Sequence, residues 1–261
     1  MSSSHTRRIS HRSVAHALVS ARQNTIRLVF LRSQRFYDAI YAWKDYQSEA
    51  VKIHALTQGR NPGARTLLDV ACGTGTHLEH LKEHYEVEGM DVDPEMVRIA
   101  LERLPGVPIH EGDMAEFDLG KKFDAVTCLF SSIGYMRTVE NLGRAIATMS
   151  QHLAQRGLLV VEPWATPETF EPGRPSAKFV DEPDLKIARI DVPRVQGRLS
   201  IIEFRYLVGT PEGIEDFTER HEIALFTHEE YLDAFRKANL EVEHDPEGLM
   251  GRGLYIGIRR G

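Results

Sequence analysis

The stretch Leu67 to Leu78, LLDVACGTGTHL, constrains this chain more than any other: a short apolar run ends in Asp69, passes through Gly73-Thr74-Gly75 and enters helix-forming residues. A strand, a glycine turn and a helix in that order open α/β folds, whose ligands bind at the carboxyl ends of the strands near the point where strand order reverses. Glycine serves such a turn in two ways. A Cβ at either position would hold a ligand away from the backbone N–H groups, and a tight turn demands the positive φ that glycine adopts without strain.

Downstream, strand-like and helix-like stretches alternate. The spacing predicts strands at Leu67 to Val70, Val87 to Val92, Pro108 to Glu111, Phe123 to Phe130 and Leu158 to Glu162, and helices at Thr76 to His84, Pro94 to Arg103 and Val139 to Leu153. Asp93 can cap the helix that begins at Pro94, where a missing N–H is harmless. A continuously apolar run such as Ala125-Val126-Thr127-Cys128-Leu129-Phe130 is buried on both faces, which implies a parallel sheet covered by helices. The expected fold is therefore α/β: a doubly wound, Rossmann-like, seven-stranded and mostly parallel sheet.

After Pro163 the apolar period becomes two, with Ile187, Arg189 and Asp191 set against Ala188, Ile190 and Val192, then Leu199 to Val208 and His221 to Phe226. This predicts a three-stranded antiparallel meander, a small β insertion between the fifth and sixth sheet strands that would lie over the carboxyl edge as a lid. A helix at His228 to Ala238, with Thr227 and Glu230 placed as a capping box, and strands at Glu241 to His244 and Leu254 to Ile258 close the chain. Upstream, apolar and aromatic residues between Ser33 and Leu56 recur at helical spacing until Asn61-Pro62-Gly63 breaks them. The expected organisation is a basic, poorly ordered extension (1–32), a helical cap (33–60), a ligand-binding core (61–163), the β lid (164–226) and a closing helix and strands (227–261).

Charge narrows the partners. Residues 1 to 35 hold seven Arg and no acid, so the rest of the chain sets 25 basic against 38 acidic residues and is far more acidic than the net charge of -6 suggests. A body that acidic repels nucleic acid, which favours a small-molecule substrate. No run approaches the roughly 18 apolar residues of a membrane-spanning helix. Two cysteines, Cys72 and Cys128, in apolar contexts read as reduced core thiols, hence a cytoplasmic setting. A homodimer is compatible with all of this. His77, His80 and His84 lie at i, i+3 and i+7 but lack further ligands at metal spacing, so they read as a solvated helix face and no metal is expected.

Two cofactors compete for the glycine turn. NAD needs a third glycine for close helix packing, and that position is Leu78. Asp91, sixteen residues past Gly75, ends the second strand and can hydrogen-bond both ribose hydroxyls of an adenosine. Asp113, in the turn HEGDM after the third strand, can accept from an adenine amine while Met114 packs on the ring, and Asp69 can accept from an ammonium group. Three carboxylates on successive strand ends would thus surround an adenosine and a charged amino acid, which together make S-adenosylmethionine (SAM).

These residues, with CLFSSIGYM (Cys128 to Met136), resemble the class I SAM-dependent methyltransferases. More narrowly, from Phe36 to Arg259 the chain resembles the TDP-aminosugar N,N-dimethyltransferases of desosamine and mycaminose biosynthesis, through YDAIY (Tyr37 to Tyr41), VACGTGTHL, EGDM, FDAVTCLFSSIG, VVEPW (Val160 to Trp164), HEIALF and GRGLYIGIR (Gly251 to Arg259). The resemblance implies that Tyr37, Ala71, Asp91, Asp113, Met114 and Leu129 contact SAM, to which the reading of the turn above adds Asp69, Gly73 and Gly75. It also implies that Tyr37 and Tyr135 flank the amine being methylated. The chain departs from that family at Tyr135, where those enzymes carry His, and at Trp43-Lys44, where they carry an Arg-Gly-rich loop. Trp164 is expected to cover the substrate and Arg252 to meet a nucleotide phosphate. The rival readings are an O- or N-methyltransferase of another small metabolite and a SAM-binding protein without transfer activity.

Overall fold

The computed structural model describes residues 32–260, so the basic extension, apart from Arg32, lies outside the described residues. The chain enters through a 3₁₀ turn at Gln34–Phe36, helix α1 (Tyr37–Ile40) and helix α2 (Tyr46–Arg60). The central sheet then builds from β1 (Thr66–Val70), β2 (Glu86–Asp91), β3 (Ile109–Glu111), β4 (Phe123–Cys128) and β5 (Leu153–Val161), with α3 (Thr76–Leu81), α4 (Pro94–Arg103) and α5 (Val139–Gln151) between them. Helix α6 (His228–Lys237) and strands β11 (Leu240–Asp245) and β12 (Leu254–Arg259) complete it. The strand order is β11-β12-β5-β4-β1-β2-β3, parallel except where β12 runs against β5 and β11.

The unbroken apolar runs follow from burial on both faces. Neighbouring residues of one strand enter opposite cores: Leu68 and Val126 pack with Leu142, Ile146, Tyr231 and Phe235, whereas Leu67 and Ala125 pack with Ile53, Leu78 and Leu81. Cys72 and Cys128 are free thiols, both buried. The caps are as the sequence suggests. Asp93 accepts from the N–H groups of Glu95 and Met96, and Thr227 forms a capping box with Glu230. Helix α5 stops two residues earlier than its apolar period, at Gln151, and β5 starts at Leu153 through an irregular register against β4.

The lid differs from the expected three-stranded meander. It is a five-stranded antiparallel sheet in which β6 (Ser176–Glu182), β7 (Leu185–Asp191), β9 (Leu199–Thr210) and β10 (Gly213–Ala224) pair in the order β10-β9-β7-β6, while the short β8 (Arg194–Gln196) pairs with β9. The two unforeseen strands lie at edges and are almost wholly exposed, so neither burial nor alternation marks them in the sequence. A third apolar cluster joins Phe36 and Ile40 to Ile187, Tyr206, Val208 and Phe217, which seats the N-terminal turn beneath the lid. Among the described residues no helix is long and apolar enough to cross a membrane.

Candidate active site

Three cavities meet at the carboxyl ends of β1, β2 and β4, and Tyr37 and Ser132 line all three. The first encloses about 700 Å³, its mouth included, between Ala71, Gly73, Asp91, Asp113, Met114 and the apolar walls Met90, Met96 and Met136. A small second cavity continues from it past Ala71 and Gly73 to Asp69, Thr74 and Leu129. The third, about 1570 Å³ and open to solvent, lies under the lid and reaches Trp164 and Arg252.

Local geometry explains why the sequence places these groups here. Gly73 has φ +57° and a Cβ there would meet no atom of the described residues within 4 Å, so the space beside it is open to a ligand. Its N–H donates to Asp91 Oδ2 (2.8 Å), and the N–H of Asp93 donates to Asp91 Oδ1 (2.9 Å), which fixes the carboxylate at the strand end. Burial nevertheless pushes Asp91 up to about 6. Asp69, 2% exposed, sits opposite Thr127 on β4 and accepts its hydroxyl proton at 2.7 Å, and burial pushes it up to about 7. Asp113 is held by the N–H of Ala115 (2.9 Å). Gly75 differs from Gly73: its φ is +80°, but a Cβ would press on Leu104 Cδ1 at 3.0 Å and Ala100 Cβ at 3.3 Å. Its positive φ and close packing are helix-entry features, and it lines none of these three cavities.

SAM fits the residues present. The first cavity is lined by three aspartates and, among the described residues, by no Lys, Arg or His, so it suits an adenosine without a pyrophosphate. The second ends in a buried carboxylate that suits an ammonium group. The three histidines read as a solvated helix face divide: His84 is exposed and stacks on His54, whereas His77 is buried with Nε2 2.8 Å from Glu49 Oε2, because α2 packs over that side of α3; among the described residues no group of His, Cys, Asp and Glu is arranged to hold a metal.

Tyr37 and Tyr135 both face the junction of the first and third cavities. Burial raises both hydroxyls well above the usual tyrosine range, so neither is a ready base. The third cavity is aromatic and sets three cations, Lys178, Arg189 and Arg252, against two acids, Glu171 and Asp191. Arg252 stacks over Trp164 at 4.7 Å and donates to Ser131 Oγ at 2.9 Å, bringing the two expected substrate residues together. Ser131 itself, like Phe130, adopts a left-handed backbone, held where Glu162 Oε2 accepts the Phe130 N–H at 2.7 Å.

Sequence reasoning missed Arg189, His221 and Ser132. Arg189 is 6% exposed, lies over Phe204 at 4.3 Å, donates to the Tyr41 hydroxyl at 3.0 Å, and leaves Nε without a hydrogen-bond partner among the described residues. The signal was present: Arg189 and Asp191 share the strand face of Ile187, and charged residues on the buried face of a strand mark a ligand cavity.

Fold and site together define a class I SAM-dependent methyltransferase. Residues 67–157 match the family model described as a methyltransferase domain. The chain is 44% identical over 226 residues, 85% of its length and 95% of the relative's, to the dTDP-3-amino-3,4,6-trideoxy-alpha-D-glucopyranose N,N-dimethyltransferase of Streptomyces venezuelae. It is 42% identical, covering 85% of its length and 91% of the relative's, to the dTDP-4-amino-2,3,4,6-tetradeoxy-D-glucose N,N-dimethyltransferase of Saccharopolyspora spinosa. Among solved structures it superimposes with a TM-score of 0.80 and 42% identity on the SAM-bound amino pentose methyltransferase of calicheamicin biosynthesis from Micromonospora echinaspora, covering 86% of this chain and 96% of that one. The chain belongs to this family of SAM-dependent sugar N,N-dimethyltransferases.

Proposed function

We propose that the chain dimethylates the amine of a nucleotide-linked deoxyaminosugar. One observation carries the reading. The cofactor cavity, lined by no Lys or Arg among the described residues, opens at Tyr37 and Tyr135 into a larger cavity where Arg189, Arg252 and Lys178 outnumber the acids Glu171 and Asp191 among aromatic rings, which suits an anionic, partly planar substrate such as a nucleoside diphosphate sugar. The likeness to relatives named for dTDP-aminosugars supports the same acceptor.

SAM, when bound, supplies an electrophilic methyl carbon. Everything else falls to the protein. Asp91 and Asp113 hold the adenosine end, Met114 packs on its ring, and Asp69 with Leu129 and Ala71 receives the amino-acid end. The chain then has to hold a neutral amine at about 3 to 3.5 Å from the methyl position, which requires no covalent step. An amine seated at the buried hydroxyls of Tyr37 and Tyr135, inward of the open part of the third cavity, is removed from water, which disfavours its ammonium form. Trp164 covers the sugar, and Arg252 with Arg189 meets its phosphates.

The homodimer and the cytoplasmic setting stand as part of this proposal. Phe179, Ile190 and Leu207 are exposed on the outer face of the lid sheet, which supports self-association, and light scattering would read the mass directly. The function itself is tested by incubating the protein with isotopically labelled SAM and a panel of dTDP-aminosugars, other small amines and nucleic acid. The proposal expects two methyl groups on the sugar nitrogen and none on nucleic acid. Preferred turnover of an unphosphorylated amine or of an alcohol would contradict it.

A further inference from the structure

The Tyr135 hydroxyl lies 2.6 Å from Nδ1 of His221, a residue of the lid strand β10, so the group at the cavity junction is tied to the lid. At that distance one of the two atoms donates, and the surroundings decide which. On the other side of the ring, His221 Nε2 faces Glu219 Oε2 at 4.0 Å. Glu219 is a carboxylate fixed by three donors: its Oε2 accepts the Ser33 hydroxyl at 2.6 Å, and its Oε1 accepts the N–H groups of Ser33 (2.9 Å) and Arg32 (3.1 Å). A carboxylate on that side favours the tautomer with hydrogen on Nε2, leaving Nδ1 as a lone pair. Burial, aided by the nearby Arg189, pushes His221 down to about 3, so the ring stays neutral.

We propose that His221 is a positioning residue: it accepts the Tyr135 hydroxyl proton and thereby leaves only oxygen lone pairs facing the junction where the cofactor and substrate cavities meet. Tyr135 then receives an N–H from the acceptor amine and offers none. A neutral amine that donates to Tyr135 keeps its own lone pair free for the cofactor side, whereas a tyrosine donating into the cavity would occupy that lone pair and suppress the nucleophile. The arrangement also discriminates by methylation state. Each transfer breaks the sulfonium–methyl bond and leaves an ammonium, which releases one proton to solvent; the neutral primary and monomethyl amines each carry an N–H for Tyr135, and the dimethyl product carries none once that proton has left, so the contact serves both transfers and is lost when the second product is deprotonated. The inference rests on the proposed amine acceptor, and the hydroxyl orientation can be read independently of it.

The test uses the full chain with ¹⁵N-labelled histidine and the variants His221→Phe, His221→Asn and Tyr135→Phe. The His221 nitrogen shifts should show hydrogen on Nε2 and an acceptor at Nδ1 without any substrate; hydrogen on Nδ1 would overturn the proposal. With SAM and a dTDP-linked 3-amino sugar, unmethylated or monomethylated, His221→Phe should lower kcat by about tenfold or more at both steps while KM and SAM affinity move by less than about threefold. His221→Asn, whose carbonyl can accept the same proton, should recover most of that loss, and adding His221→Phe to Tyr135→Phe should cost little more. Equal losses in the Asn and Phe variants, additive losses in the double variant, or a change confined to melting temperature would each overturn it. A wild-type protein that leaves the sugar unmethylated yet shows hydrogen on Nε2 overturns the acceptor reading and supports the hydroxyl orientation.

Discussion

The N–H of Gly73 donates to Oδ2 of Asp91 across 2.8 Å, so the glycine turn after β1 and the carboxylate that ends β2 form a single unit. A change at either end should therefore be felt in the cofactor cavity. Asp91→Ala removes a fixed acceptor for ribose hydroxyls and leaves the Gly73 N–H without its partner. SAM binding should weaken by about 1 to 3 kcal/mol in calorimetry, the worth of charge-assisted hydrogen bonds. Unchanged affinity in a folded variant would remove Asp91 from the site.

The two glycines of the turn should fail in different ways. Gly73→Ala places a methyl group in open space beside the ligand and forces a left-handed alanine, costing about 1 to 2 kcal/mol of stability and a larger share of SAM affinity. Gly75→Ala presses on Leu104 and Ala100 and should lower the melting temperature more than it lowers affinity per folded molecule. Denaturation and SAM titration of both variants separate the roles.

Asp69 predicts a pH dependence. Its carboxyl is raised to about 7 in the ligand-free protein, and only the carboxylate can pair with an ammonium, so SAM affinity should fall as the pH drops from 8 to 5. Asp69→Asn should bind SAM weakly with that dependence flattened. The stability sign is opposite. A raised carboxyl holds its proton in the folded state over a range where the unfolded chain, at about 3.9, has lost it, so this group's penalty grows as the pH rises from about 4 through 7. Any melting-temperature gain of Asp69→Asn over wild type should be greatest at pH 8 and shrink toward pH 5.

Arg189 is a buried cation whose Nε lacks a partner among the described residues, and the substrate is proposed to supply an anion. Arg189→Met should raise KM for the nucleotide sugar about tenfold or more, leave SAM affinity unchanged, and leave stability little altered, because the buried charge carries its own desolvation penalty. A KM unchanged in that variant would separate Arg189 from phosphate recognition.

Much of this molecule was legible in the sequence because the physics there is local. Apolar runs without alternation mark two-faced strands, Asp93 and Thr227 announce their helices, and LLDVACGTGTHL carries both a turn and the edge of the first two cavities. What could not be read depended on pairing across the chain. Strands β6 and β8 bury too little to leave a pattern. His221 meets Tyr135 only because β10 folds over the 3₁₀ turn at Ser132–Met136. Gly75 and Gly73 look alike as letters, and only the position of Leu104 shows that one faces packing and the other the cavity.

The account turns on where the acceptor nitrogen lies. The direct measurement is a crystal structure of the protein with S-adenosylhomocysteine and a dTDP-aminosugar. The account predicts adenosine between Asp91 and Met114, the sugar phosphates at Arg189 and Arg252, and the nitrogen between Tyr37 and Tyr135 within hydrogen-bond distance of the Tyr135 oxygen. A sugar whose amine points into solvent, or an adenosine lodged away from Asp91, would contradict it.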